Sequence, residues 1–177
     1  MKRDNRGLSL VELIVVVAIL SIFVGGTVLG LGLISNKSVD KCADKLRLTM
    51  QNNRVTTMGR LDSRLEIYLD GDTIYIQEFV KKDASGYVAG TPVELGDAGL
   101  TMKFTLSDSS GTVLTLGDPG CPARIILQYD RSSGAFKDLS AMGSAYAGKY
   151  CTKIEISKGS KLRTISISYL TGKISVE

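Results

Sequence analysis

The sequence predicts an α+β protein in which one long N-terminal helix precedes an antiparallel, β-rich head. Three observations carry this expectation. Residues 13–34 form an uncharged, mainly apolar run of 22 residues. The apolar residues that follow recur at three- or four-residue steps, and beyond Arg60 the period changes to two. At 177 residues the chain can build one cored domain plus an anchoring segment, but not two separate cores. Apolar residues make up 44 % and charged residues 23 % of the chain, a globular composition. The net charge of +4 is too small to dictate a polyanionic partner.

At about 1.5 Å rise per residue, the apolar run is long enough to cross a bilayer core of about 30 Å. Its leader, MKRDNRG, sets Lys2, Arg3 and Arg6 against Asp4, and an excess of cations before the first apolar segment holds that end in the cytoplasm and exports the rest. A cleavable secretory signal has a shorter apolar region, although Gly30-Leu31-Gly32 has the small-x-small form of its cleavage site. Gly25, Gly26, Gly30 and Gly32 either soften the outer half of the helix or let another helix approach closely. Glu12 is the anomaly, because a carboxylate beside an apolar run calls for a partner.

The first proline is Pro92, so the helix can continue beyond the apolar run. Val39, Cys42/Ala43, Leu46 and Met50 make an amphipathic stripe, with Asp40, Lys41, Asp44, Lys45 and Arg47 off it. Leu65, Ile67 and Leu69 then alternate with polar or aromatic residues, and Asp70-Gly71 offers a hairpin turn before 73–76. Further short strands are expected at 100–106, 112–116, 124–129, 153–157, 163–169 and 173–176. The last pair is joined at Thr171-Gly172, and residues 125–136 form a candidate hairpin.

The stretch Gly7-Leu8-Ser9-Leu10-Val11-Glu12-Leu13-Ile14, behind the basic leader, resembles the processing site of type IV pilins and type II secretion pseudopilins. The resemblance implies a pilin fold with a leader over 1–7, a transmembrane and assembly helix over 8–35, an amphipathic continuation over 36–60 and a globular head over 61–177. It implies that a prepilin peptidase cuts between Gly7 and Leu8 and methylates the new amine. Leu8 departs from the phenylalanine commonest at that position. Residues i and i+4 share a helix face, so the amine of Leu8 and the carboxylate of Glu12 lie one turn apart. In a bundle the carboxylate can meet a neighbour's amine and fix the axial register.

The partners so implied are other pilin or pseudopilin subunits, the peptidase, the bilayer before assembly and the pilus assembly machinery. The implied location passes from the inner membrane, N-terminus in the cytoplasm, to a surface pilus or pseudopilus. The order of Ile126, Tyr129-Asp130, Gly134-Ala135-Phe136 and Thr171-Gly172-Lys173 resembles the minor pseudopilin H and FimT branch.

Cys121 and Cys151 flank the 125–136 candidate hairpin, and in an exported domain they are the expected disulfide; alternatively Cys42 ties the helix to the sheet. Without histidine no Ser-His-Asp or Cys-His site can form, and no G-x-S-x-G or P-loop pattern occurs. The expectation is a structural protein, not an enzyme, with no metal and no cofactor. Two alternatives remain. Lys158, Lys161 and Arg163, on an expected loop, would form a DNA-binding tip for DNA uptake, against the plainer reading of lysines that keep strand edges from pairing. The other alternative is an ordinary membrane-anchored or secreted β-rich domain.

Overall fold

Nothing in the sequence breaks a helix before the glycine at position 59, and the structure forms one. The computed structural model describes residues 10–59, 62–83, 86–97 and 99–177, with the side chains of 23–36, 82 and 83 left aside. Among the described residues there is one α-helix, α1, which spans Leu10–Gly59. Val39, Cys42, Ala43, Leu46 and Met50 are all buried, as the stripe predicts. Burying a large apolar side chain contributes about 1.5–3 kcal/mol, so this face holds the helix to the head. Two polar residues extend it by one and two turns: Asn53 and Thr57 are also buried.

The strands that receive this face are β1 (Asp62–Asp70), β2 (Thr73–Asp83), β3 (Gly86–Ala89), β4 (Val93–Gly96), β5 (Thr101–Leu106), β6 (Val113–Thr115), β7 (Arg124–Gln128), β8 (Cys151–Lys158), β9 (Lys161–Ser168) and β10 (Lys173–Val176). They form two antiparallel sheets. One runs β3-β2-β1-β7, with β4 also paired to β2, and the other runs β10-β9-β8-β5-β6. Two short 3-10 turns, Leu139–Met142 and Ser144–Tyr146, link β7 to β8. The helix packs on β1 and β4 of the first sheet and on β8, β9 and β10 of the second.

Alternation decides which residues face inward. In the first sheet these include Leu65, Ile67, Ile74, Ile76, Ile125 and Leu127; in the second, Met102, Phe104, Ile154, Ile156, Ile165 and Ile167. The predicted hairpin closes between Asp70 and Thr73, and Gly71 takes φ +58°, which a two-residue turn of this kind reserves for glycine at its first position.

Several expectations need correction. Leu69 follows the alternation but is 42 % exposed, because β7 pairs with β1 only as far as Tyr68 and the core ends there. The 125–136 hairpin reduces to one bridge between Tyr129 and Phe136, since the chain beyond Phe136 leaves for the 3-10 turns. The Cys121–Cys151 disulfide is absent, and all three cysteines are free. Cys151 lies on β8, Cys121 follows β6, and β5 stands between those strands. Cys121 lies six residues beyond the end of β6, in a turn that shares a cavity lining with Leu69 of the first sheet, and a disulfide needs its Cα atoms within about 7 Å. Among the described residues no helix is long and apolar enough to cross a membrane. The part of the expected span at 8–9 and 23–35 lies outside the residues or side chains described.

Directional contacts fix how α1 seats. Asn53 Nδ2 donates to Ser63 Oγ and to Glu78 Oε1, both at 2.8 Å, and Thr57 Oγ1 lies 2.6 Å from the same Ser63 hydroxyl. Arg54 donates from Nε to the Gly134 carbonyl and from Nη2 to the Thr171 carbonyl, each at 2.9 Å, and so ties the helix to two loops. These loops touch at Gly172, where φ is +66° and an added Cβ would stand 1.9 Å from the Gly134 oxygen and 2.9 Å from Arg54 Nε.

We therefore expect Gly172→Ala to lower the unfolding free energy of the full-length chain in mild detergent by at least about 2 kcal/mol. Gly159 has a similar φ of +60° with nothing within 4 Å. Gly159→Ala should cost about 1 kcal/mol, the left-handed backbone penalty alone. Urea titrations of the two variants check the difference.

Candidate functional site

A surface helix of a globular protein is apolar on one stripe; one that is apolar all round must be covered by something else. The first turns of α1 are of the second kind. Ten apolar side chains between Leu10 and Ile22 are 48–76 % exposed. Within this segment Ser21 donates to the Val17 carbonyl at 2.8 Å, so its hydroxyl needs no outside partner. Glu12 is the acidic residue of the first helical turn. Gly7 and Leu8 lie outside the described residues, and so does the expected pairing of the Leu8 amine with Glu12.

Farther along, α1 meets the head at Asp40. Alternation puts Lys161 and Arg163 on the same side of β9 as Ile165 and Ile167, toward the helix. Arg163 Nε lies 2.5 Å and Lys161 Nζ 3.7 Å from Asp40 Oδ1. Lys158 instead pairs with Asp97 Oδ1 at 3.0 Å. The basic loop expected from the sequence is thus a tight β8–β9 hairpin, with Lys158 opposite Lys161. Each of its three cations already has a carboxylate, so the cluster does not present the unopposed charge that phosphate binding draws on. Among the described residues no group of His, Cys, Asp or Glu is placed to hold a metal.

Asp40, Asp97 and Arg54 are the residues that sequence reasoning missed. The Asp40–Arg163 contact joins positions 123 residues apart, and no local pattern announces it. The hydrogen bond from Arg163 is the main cause that holds the Asp40 carboxyl below its ordinary value of 3.8.

Comparison with known proteins speaks to the N-terminus. Residues 2–28 match the prokaryotic N-terminal methylation motif. This match supports the type IV pilin and pseudopilin family. The motif thus falls on the leader, on Glu12 and on the exposed apolar turns, and it marks a pilin-like or pseudopilin-like subunit. No curated protein and no solved structure matches the chain.

A carboxyl whose pKa is lowered on folding contributes stability above its ordinary pKa, and that contribution is lost as pH falls through the lowered value. Asp40 should therefore hold α1 to β9 fully at neutral pH and release it below about pH 4. The expected outcome is that Asp40→Asn weakens protection of the β9 amides at pH 7 and flattens its acid dependence, read by hydrogen exchange between pH 2 and 7.

Proposed function

We propose that the protein is a structural subunit of a type IV pilus or a type II secretion pseudopilus, cut between Gly7 and Leu8 and assembled through α1. The observation that carries this reading is the first 13 residues of the described helix, ten of them exposed and apolar and one a carboxylate, on the same helix whose later turns are the spine of the head. Apolar surface of that extent is covered in a stable state. Lipid covers it in the precursor, and the helices of neighbouring subunits cover it in the filament. The matched motif at residues 2–28 supports the same reading.

The chemistry follows from the cost of an unpaired charge. Removing one partner of a buried pair costs about 3–5 kcal/mol, so a Glu12 carboxylate inside a helix bundle requires a cation. The amine freed at Leu8 of a neighbouring subunit supplies one, and the pair forms only at the correct axial register. Glu12 then acts in assembly rather than in folding of the head.

Two outcomes are expected. With the cognate peptidase co-expressed, intact mass and N-terminal sequencing should find a chain that begins at Leu8 with one added methyl group. Glu12→Ala should leave the unfolding midpoint of the head unchanged while filaments sheared from cells fall at least about tenfold. Normal filament yield from Glu12→Ala would sink the pairing.

A further inference from the structure

Outside its buried stripe, α1 is not uniformly polar. Leu48 is 59 %, Val55 71 % and Met58 48 % exposed, on positions seven and three residues apart that share one side of the helix. Beside them lies a surface cavity of about 310 Å³ between α1 and the turn into β10, lined by Arg54, Val55, Met58, Lys173 and Ile174 among others. Its walls mix the apolar Val55, Met58 and Ile174 with two cations and the Gln51 amide. Arg54 is bonded only to neutral carbonyls, and among the described residues no carboxylate lies within ion-pair distance of Arg54 or Lys173.

An apolar groove with unopposed positive charge fits an apolar segment with one negative charge. This chain has such a segment: residues 10–22, apolar on every side except for Ser21 and Glu12. Its length of about 20 Å compares with about 15 Å from Leu48 to Met58. Both surfaces lie on one continuous helix, so no chain can fill its own groove. The occupant must come from another copy.

We propose that the N-terminal segment of α1 of one copy docks in the groove formed by Val55, Met58, Lys173 and Ile174 of the next, with Glu12 directed toward Lys173. The inference rests on the filament reading above and deepens it by naming the surface of the next subunit that receives the helix. Lys173 adds a second cation to the amine at Leu8. Because the two surfaces are different patches of the same chain, each copy fills one groove and offers another. Such contacts are heterologous and propagate without closing.

Cysteine cross-linking in the membrane tests this with the full-length chain. Two differently tagged copies, both carrying Cys121→Ser, are co-expressed with the peptidase and oxidised, one with Ile14→Cys and the other with Val55→Cys. The mixed disulfide should form at least about tenfold more than in a control that replaces Val55→Cys by Val113→Cys, on β6. Lys173→Glu should reduce it about tenfold, whereas Lys173→Arg should keep most of it. Equal yields for positions 55 and 113 overturn the groove. So does an Ile14→Cys to Ile14→Cys cross-link with none to position 55, which shows helices bundled while something else covers the groove; the filament reading survives that result. Loss of every cross-link, with no filaments, overturns both.

Discussion

The buried face of α1 is the constraint to which the rest of the head conforms. Both sheets turn their apolar sides to it, and the buried side chains of the helix and of both sheets form one core. Apolar contact alone would let the helix slide or rotate, because hydrophobic burial has no direction. The hydrogen bonds of Asn53 and Thr57 to Ser63 and Glu78 remove that freedom. Asp40 at one end and Arg54 at the other add contacts to β9 and to the loops around Gly134 and Thr171. An axial load on the N-terminal turns therefore reaches the sheets through bonded contacts as well as through packed side chains.

The outer side of the first sheet obeys a different rule. Glu66 points away from the helix by alternation, yet it is only 3 % exposed. Arg64 and Arg124 each reach one of its carboxylate oxygens at 2.7 Å. Their guanidinium groups lie over aromatic rings, Arg64 over Tyr87 at 4.5 Å and Arg124 over Tyr68 at 4.6 Å. The result is a charged residue buried on the solvent side of a sheet by the side chains that neutralise it. Removing either arginine would leave Glu66 half-paired and desolvated, which is costlier than never having had the pair.

Much of this was legible from periodicity, and the failures share a cause. The stripe Val39, Cys42, Ala43, Leu46 and Met50 could be read because a helix face repeats within a few residues. Asn53 and Thr57 continue the same face but are polar, and what permits their burial is Ser63 and Glu78, which only the folded sheet brings near. The eight strands expected from alternation all exist, but β3 and β4 were missed because Gly86, Gly90, Pro92 and Gly96 break up the pattern around them. Division into two sheets was not legible either, since β7 pairs back to β1 and β8 to β5 across long stretches of chain. The basic residues of the β8–β9 hairpin were found and their carboxylates were not, for the same reason. At the N-terminus the motif was fully local, and there the sequence reading and the comparison agree.

The three free thiols also differ in chemical availability. Burial pushes Cys42 and Cys151 up to about 12, so at neutral pH almost none of either is in the thiolate form that reacts. Burial and the Asp118 carboxylate raise the Cys121 thiol too, but it is partly exposed, in the turn after β6, and so within reach of a reagent. A fluorophore carried on a maleimide would thus attach to the unaltered protein at one defined place on the head, far in sequence from the N-terminal turns of α1. Individual copies of the chain could then be followed by light microscopy without a fusion tag.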